Sequence, residues 1–486
     1  MKKNIGIILF LLVYLIGFGA CKDKNGDLLD LSLSDTMIEI KAGETFTVNV
    51  LKSNGKFRLD ISDPSIVKGL ISENTITFTG ISVGSTTAEI TDDEKESAII
   101  SIKVIHNVDN INRISFNARI TDQEKQGNIG FLHSINLTAP ADSFVTLIKP
   151  KLWRVGRYNE AFKLYHRLKG LGVERQLLAL SDLRTEVPYR AVFQEHGYGA
   201  MTEAIVDDIV ELGLDYEYDL YNEPNRMAGF ELNSFMDSLW IPAYRAVREK
   251  LPNAIIHGPA TSINSTGDPK ADSLVVFQFI DKAIESNTLP DYINWHLQIG
   301  YNVADWHMLY ADNIKKYINA KGHSILGCVV GETIRPGDER NTSPAKMIDM
   351  FLSAEAGNIP QIRAAWSSTP VYGVSTSIPP VLCGILTGTD GKGRRGAWWT
   401  YRFFAETEGV RIECEEGITG PENLVGIAYK DEDKGVLRAL VGLRDTKKTQ
   451  NTLISFNNLD SSPYISSNGE THVKMWYNYQ TETSEI

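Results

Sequence analysis

The tripeptide Asn222-Glu223-Pro224 places a carboxylate where acid–base chemistry could use it. It follows an alternating segment over 216–220, which predicts a strand. Because proline restricts the backbone of the residue before it, we predict an extended backbone at Glu223, which would aim the carboxylate. An exposed glutamate at the start of a loop is the alternative interpretation.

A second carboxylate, Glu332, follows the apolar run 325–331. Such a run is typical of a strand covered on both faces, and a glutamate at its end has no reason to be in a core. A charged loop residue is again the alternative. Two carboxylates at one end of a barrel suit glycoside hydrolysis, with one as general acid and the other as nucleophile or base. A separation of about 5 to 5.5 Å would give retention of configuration.

The two glutamates would need different pKa values for this chemistry. Glu223 must be protonated at the first step, so we expect its neighbours to raise its pKa. Glu332 must stay ionised, so we expect a nearby cation to depress its pKa.

Strands alternating with helical patterns must position this pair. Between about 107 and 409 the sequence predicts eight strands, over 129–136, 152–157, 175–180, 216–221, 254–258, 293–297, 325–331 and 362–366. This alternation predicts a (β/α)₈ TIM barrel, whose active site lies at the C-terminal ends of the strands. An open doubly wound sheet is the alternative, but no glycine-rich phosphate loop follows an early strand.

Both motifs resemble glycoside hydrolase clan A. The segment Tyr-Asp-Leu-Tyr-Asn-Glu-Pro-Asn over 218–225 is similar to the strand-four motif of family 39, and Val-Gly-Glu-Thr over 330–333 resembles the strand-seven motif. The resemblance covers the barrel and extends to the segment after it. It implies that Glu223 is the acid/base, that Glu332 is the nucleophile, and that no cofactor or metal is required.

The same resemblance implies five substrate-binding residues. Arg154 would hold the nucleophile, Asn222 would bind the sugar 2-hydroxyl, and Trp366 would form the floor of the sugar subsite. His296 and Tyr301 would lie near the nucleophile, although the sequence here departs from the usual His-x-Tyr motif. An ion pair in the barrel wall is the alternative for Arg154, and a satisfied core histidine is the alternative for His296.

Five further residues could build additional subsites. Tyr158, Tyr198 and Trp306 are aromatic candidates, for which packing is the more common role. His133 and His196 are predicted on loops near the mouth of the barrel.

The first 20 residues predict a secretion signal, with Lys2 and Lys3 before an apolar run over 5–16. A transmembrane anchor is the alternative, but the run is short for a bilayer core of about 30 Å. The segment Phe-Gly-Ala-Cys over 18–21 resembles a bacterial lipobox, which predicts lipidation of Cys21.

Residues 21–29 then form a tether, and the protein would be an outer-membrane lipoprotein exposed at the cell surface. The segment 30–106 predicts a small β-sandwich, because short alternating strands are separated by turn signals. Its part over 80–87 resembles bacterial Ig-like domains. We interpret it as a spacer, with sugar binding as the alternative. The segment 410–486 returns to strands and predicts a second, structural β-sandwich.

Composition excludes several classes of function. The formal net charge of −12, without a basic stripe, argues against nucleic acid as partner and mildly against a densely sulfated substrate, although a local basic groove could overturn the latter. Beyond Cys21, the odd number of cysteines, without CxxC spacing, supports neither a disulfide framework nor a zinc site.

The sequence therefore predicts a retaining β-glycosidase that is monomeric, anchored to a membrane and endo-acting on a polysaccharide or oligosaccharide. One alternative is a non-catalytic glycan-binding lipoprotein on a barrel scaffold, which would be expected to lose one of the two carboxylates. Another is a metal-dependent hydrolase or lyase, for which no His-x-His pair supplies ligands.

Overall fold

A computed structural model describes most of the chain as two compact units, divided at Ile111 and Asn112. The described residues are 29–105, 112–156, 161–263, 269–297, 303–333, 344–364, 380–388, 390–417, 420–421, 424–443 and 452–459. Among them, none of the helices combines the length and apolar character needed to cross a membrane.

The N-terminal unit consists of two four-stranded sheets, with strand orders β1-β3-β6-β5 and β2-β8-β7-β4. The strands are β1 Ser32–Leu33, β2 Met37–Lys41, β3 Thr45–Lys52, β4 Phe57–Ile61, β5 Val67–Ser72, β6 Thr75–Gly80, β7 Gly84–Asp92 and β8 Ser97–Ile105. The predicted alternation is confirmed: Val48, Phe78 and Ile102 lie in one buried cluster with side chains from both sheets, while their chain neighbours face solvent. The Ig-like assignment stays a prediction.

The second unit contains a closed barrel of eight parallel strands. They are β10 Ile129–Leu132, β11 Leu152–Val155, β12 Arg175–Ala179, β13 Glu217–Asp219, β14 Ile256–Ser262, β15 Tyr292–Leu297, β16 Gly327–Thr333 and β17 Gln361–Arg363. Each overlaps one of the eight predicted strands, so the TIM barrel is confirmed. Because β17 pairs with β10, the sheet has no free edge, which excludes the doubly wound alternative.

Helices lie between the barrel strands and after the last of them. They are α1 Asp142–Thr146, α2 Ala161–Gly170, α3 Leu180–Leu183, α4 Tyr189–Glu211, α5 Leu232–Phe235, α6 Ile241–Lys250, α7 Pro269–Glu285, α8 Val303–Ala320, α9 Pro344–Ala356 and α10 Gly396–Glu406. Helix α4 ends just before Gly213, whose φ of 63° fits the predicted C-cap glycine. The proline at the start of α9 is also where the sequence predicts a first helical position.

Apolar side chains fill the inside of the barrel below the site. Leu152, Leu177 and Val329 belong to one buried cluster contributed by several barrel strands. Successive residues of a strand point to opposite faces, so Arg154 lies on the same inner face of β11 as Leu152. The outer faces pack on the helices, as Trp153 does in the large core cluster. A charged side chain therefore enters the barrel interior one layer above an apolar floor.

A five-stranded sheet, with order β22-β21-β20-β9-β23, completes the second unit. Its strands are β9 Asn112–Glu124, β20 Val410–Cys414, β21 Leu424–Asp431, β22 Val436–Leu443 and β23 Thr452–Asn457, and β18 Leu386–Thr387 with β19 Gly393–Arg394 forms a separate hairpin. Strand β9 precedes the barrel in the chain but pairs with β20 and β23. Residues 112–124, assigned from sequence to the barrel segment, thus hydrogen-bond to the C-terminal strands. The predicted strand over 473–477 lies outside the described residues.

Candidate active site

Glu223, His296 and Glu332 converge at the C-terminal end of the barrel. Glu223 lies just beyond β13, while His296 and Glu332 are paired in the register of β15 and β16. One carboxylate oxygen of each glutamate and one ring nitrogen of His296 all lie within 4.8 Å of one another. The two predicted catalytic carboxylates are therefore neighbours in space.

The backbone of Glu223 is left-handed, with φ 46° and ψ 56°, so the predicted extended conformation is wrong. Proline disfavours the right-handed helical region for the preceding residue, and here the backbone takes the left-handed region instead. Contacts with β14 hold it there. The N–H of Glu223 donates to the Ala260 carbonyl at 3.0 Å, and the side-chain amide of Asn225 makes hydrogen bonds with the carbonyl and the N–H of Ser262. Such a conformation costs about 1 to 3 kcal/mol at a residue with a side chain.

The two oxygens of the Glu223 carboxylate face different partners. Oε1 lies 3.2 Å from Nδ1 of His296, and Oε2 accepts a hydrogen bond of 3.2 Å from Nη1 of Arg226. Burial by itself would raise the pKa of Glu223. The hydrogen bond from His296 and the charges of Arg226 and Arg154 outweigh it, so the pKa of Glu223 is lowered.

Glu332 is buried, and its Oε1 accepts a hydrogen bond of 2.9 Å from Nη1 of Arg154. Burial raises the pKa of Glu332, and the charge of Glu223 adds to that effect. The interactions with His296 and Arg154 offset this only in part. For both glutamates the direction is thus opposite to the sequence prediction, because that prediction included neither the burial of Glu332 nor the contacts of Glu223 with His296 and Arg226.

Arg154 connects the parts of the site. Its Nε and Nη2 both donate to Oδ2 of Asp219, at 2.8 and 2.7 Å, and Nη2 also donates to Oδ1 of Asn222 at 2.7 Å. Burial opposes the charge of Arg154, but Asp219 and Glu332 raise its pKa, so it stays protonated. One guanidinium group therefore fixes Glu332 and the residue before Glu223 together.

Asp219 and Asn294 support this arrangement and were not predicted. Asn294 donates to Oδ2 of Asp219 at 3.4 Å and accepts the N–H of Gly331, next to Glu332, at 2.9 Å. Both side chains are fully buried. The signal that could have found Asp219 is its charge between Tyr218 and Leu220 in a barrel strand, since buried carboxylates need a cation.

His133 lies beside Arg154, whose carbonyl accepts its N–H, and His196 is exposed on a helix. The His133 side chain is buried, and its Nε2 lies 3.4 Å from Oδ2 of Asp182. His196 is exposed on α4, 3.6 Å from Glu195, so the prediction of a loop position for His196 is wrong.

Two of the aromatic candidates have packing contacts. The Tyr198 side chain is buried, and its hydroxyl donates to the Leu220 carbonyl. Trp306 stacks on Tyr310 of the same helix, with ring centroids 4.6 Å apart. The remaining predicted residues, Tyr158, Tyr301, Trp366 and the lipidation site Cys21, lie outside the described residues.

The cluster of Glu223, His296 and Glu332 has the composition of a metal site. Oε1 of Glu332, which lies 3.7 Å from Nδ1 of His296, already accepts the hydrogen bond from Arg154. A buried guanidinium at that distance would repel a metal ion, so the residues fit a hydrogen-bonded ion-pair network better. The absence of a metal requirement stays a prediction.

No family model matches the sequence, and no curated protein matches it either. Among solved structures, the chain is similar to N2152 from Neocallimastix frontalis, with a TM-score of 0.56 and 17% identity over 72% of this chain and 85% of that one. This similarity shows a shared fold and no more. Together, the fold and the site define a TIM-barrel protein with two neighbouring carboxylates, of which Glu332 is buried and Glu223 is partly buried.

Weaker similarity extends to two enzymes. CelM2, a bifunctional glucanase-xylanase from a metagenome library, has a TM-score of 0.46 and 10% identity over 71% of this chain and 90% of that one. AbfB, a family 51 α-L-arabinofuranosidase from Bifidobacterium longum, has a TM-score of 0.45 and 10% identity over 74% of this chain and 89% of that one. Similarity at this level carries no conclusion about the activity of this chain.

Proposed function

We propose that the protein is a retaining glycoside hydrolase that cleaves β-glycosidic bonds of a polysaccharide. The observation that supports it most is the position of Glu223 and Glu332, with oxygens within 4.8 Å at the same end of the barrel. Retaining enzymes place the two carboxyl groups about 5 to 5.5 Å apart, whereas inverting enzymes need about 6.5 to 9.5 Å to admit a water. The short separation favours the retaining mechanism.

In this mechanism Glu332 attacks the anomeric carbon while Glu223 gives its proton to the glycosidic oxygen. The bond from carbon to the leaving group breaks, a covalent ester to Glu332 forms, and the leaving sugar departs as an alcohol. Glu223, now ionised, takes a proton from water. The resulting hydroxide displaces Glu332 from the anomeric carbon, which releases the sugar with its original configuration.

The neighbours of the pair support these roles. Arg154 orients Glu332 through a 2.9 Å hydrogen bond and counters the negative charge that Glu332 recovers in the second step. Asn222 accepts from Arg154 through Oδ1, so its amide nitrogen is left to donate to the sugar 2-hydroxyl. That contact would strengthen in the transition state.

The two pKa shifts in the free site run in the opposite order from the one that the reaction needs. The pKa of Glu223 is lowered and that of Glu332 is raised, which favours a proton on Glu332. The first step requires a protonated Glu223 and an ionised Glu332. Substrate binding must therefore reverse the order of the two pKa values.

We further propose that the enzyme acts outside the cell as a monomer, with signal peptide 1–20, lipid on Cys21 and an Ig-like spacer over 30–106. A membrane-tethered enzyme meets long chains first, which favours endo action. The size of the products from a soluble polymer tests this: release of monosaccharide alone from the start would contradict endo cleavage. Labelling with radioactive palmitate, absent in Cys21→Ser, tests the lipid anchor.

Hydrolysis of a panel of β-linked polysaccharides and aryl glycosides by residues 22–486 tests the proposed activity. The Glu223→Gln and Glu332→Gln variants should each lose most of it, and the NMR spectrum of the first product should show the β-anomer. A 2-deoxy-2-fluoro glycoside should leave a covalent adduct on Glu332, detectable by mass spectrometry. Full activity in either variant would refute the role of that residue. Binding without cleavage by the parent would favour the glycan-binding alternative.

A further inference from the structure

The two oxygens of Glu223 divide its surroundings into an inner and an outer side. Oε1 faces His296 inside the site, and Oε2 faces Arg226. The acid must lie beside the glycosidic oxygen, with the nucleophile under the sugar that it attacks. The outer side of Glu223, away from Glu332, is therefore the side of the leaving group.

Arg226 is an exposed cation on this outer side. It ends the short 3₁₀ turn Pro224–Arg226, and 57% of its side chain is accessible to solvent. Among the described residues, the hydrogen bond to Glu223 is the one side-chain contact that holds it. An exposed guanidinium with most of its donors directed to solvent can bind an anion in bidentate fashion.

A second exposed arginine lies in the same neighbourhood. Arg184, directly after α3, donates to the Tyr221 hydroxyl at 2.8 Å. That hydroxyl contacts the sulfur of Met227 at 3.1 Å, and Met227 follows Arg226 in the chain. Two guanidinium groups thus border the short segment that carries Glu223, although the chain as a whole is acidic. Local charge, not net charge, decides which substrates a cleft attracts.

We propose that Arg226, assisted by Arg184, binds an anionic group of the glycan on the leaving-group side of the cleaved bond. The shared chemistry is an oxyanion, either the carboxylate of a uronic acid or a sulfate ester. This inference rests on the proposed glycosidase function, because the acid role of Glu223 defines the leaving-group side.

The same contact would shift the pKa of Glu223 in the direction that the reaction needs. The groups that face Glu223 are His296, Arg226, Arg154 and Glu332, and Arg226 is the exposed one among them. A substrate oxyanion that takes the guanidinium of Arg226 removes one of the charges that keep Glu223 ionised. Glu223 then takes a proton from solvent and passes it to the glycosidic oxygen. Binding of the anionic leaving group would thereby favour the protonated form of Glu223 that the first step requires.

Matched substrates with one cleaved bond and three leaving groups, neutral, uronate and sulfated, test the proposal. The full-length protein should cleave one of the two anionic substrates about tenfold or more faster in kcat/KM than the neutral one. Comparison of the two identifies whether carboxylate or sulfate is recognised. Arg226→Gln should lose this preference mainly through KM. Arg245→Gln, an exposed arginine on α6, is the matched control and should keep it.

A pH profile on the neutral substrate separates a direct role from a structural one. Loss of the Arg226 charge raises the pKa of Glu223, so the alkaline limb of kcat, which reports the enzyme–substrate complex, should move to higher pH in Arg226→Gln and not in Arg245→Gln. An anionic preference that survives in Arg226→Gln, or no preference in the parent, would overturn the proposal.

The experiments distinguish failure of the proposed glycosidase function from failure of the proposed anion site. Cleavage of the neutral substrate that depends on Glu223, without any anionic preference, would keep the glycosidase and remove the anion site. If nothing is cleaved, binding at the anion site can still be measured. The protein is titrated with a uronate oligosaccharide and with a sulfated one, and NMR detects the binding. Binding that Arg226→Gln abolishes would support the anion site alone, and no binding would refute it.

Discussion

Replacing Asp219 by asparagine tests whether the buried guanidinium of Arg154 organises the site. Asp219 supplies one carboxylate oxygen to two N–H groups of Arg154, at 2.8 and 2.7 Å, and both side chains are buried. Asparagine keeps the shape and one acceptor oxygen but removes the charge. Arg154 is then left with Glu332 as its nearest carboxylate.

The expected cost follows from this burial. Removing one partner of a buried ion pair costs about 3 to 5 kcal/mol, and the acceptor that asparagine retains places Asp219→Asn at the lower end, about 3 kcal/mol. At about 2 °C per kcal/mol for a domain of this size, the melting temperature should fall by roughly 6 °C. A displacement of Glu332 by about 1 Å could lower kcat/KM by about a hundredfold.

The pH profile provides a sharper measurement than the loss of rate. In Asp219→Asn the negative charge of Asp219 no longer offsets the positive charge of Arg154 near Glu332, so the pKa of Glu332 should fall. The acidic limb of kcat, which reports ionisation of the nucleophile in the enzyme–substrate complex, should therefore move to lower pH. Thermal unfolding and initial rates between pH 3 and pH 8 measure both effects on the same protein.

Asp207→Asn is the matched control, because Asp207 makes a 3.0 Å ion pair with Lys250 on the surface, where such pairs contribute about 0 to 1 kcal/mol. An unchanged pH profile in Asp219→Asn, with stability within 1 kcal/mol of the control, would refute the organising role of Arg154 and Asp219.

Two further predictions concern stability. Burial lowers the pKa of His307 to about 3, below its unfolded value near 6.5, so the unfolded chain binds the extra proton and stability should fall by about 1.4 kcal/mol per pH unit from pH 6.5 downward. His307→Gln should weaken this dependence in urea titrations, and parallel curves for the two proteins would contradict it. A Cβ on Gly331 would lie 2.4 Å from Oδ1 of Asn294, so Gly331→Ala should cost about 1 to 3 kcal/mol and lower kcat. Gly170→Ala, with open space around its Cβ, should instead be neutral or stabilising, and equal effects of the two substitutions would refute the steric argument.

Much of the fold could be predicted from sequence because its signals are local. The eight barrel strands are short apolar runs separated by helical periodicity, and this pattern also places Glu223 and Glu332 at strand ends. The pairing of β9 with β20 and β23 could not be predicted in the same way. The alternating pattern of β9 does not indicate which strands it pairs with, and its partners follow the whole barrel in the chain. Tertiary packing therefore determines which sheet β9 joins.

The site was predictable in its residue types but not in its electrostatics. The sequence prediction placed three polar residues close to the two glutamates, and the structure also has them there: Arg154, Asn222 and His296. The left-handed backbone of Glu223 depends on the Ala260 carbonyl, which belongs to another strand. The pKa directions likewise depend on how deeply each carboxylate is buried, a property of the assembled barrel.

The topology of the C-terminal sheet sets an order of events during synthesis. Strand β9 leaves the ribosome before the barrel, yet its partners β20 and β23 leave only after the barrel is complete. Until then β9 is a strand with unpaired backbone groups, which can pair with other nascent chains. Chains truncated after the barrel would keep that edge permanently open. Secretion or expression of such truncations should therefore yield aggregates, even though the barrel residues are all present.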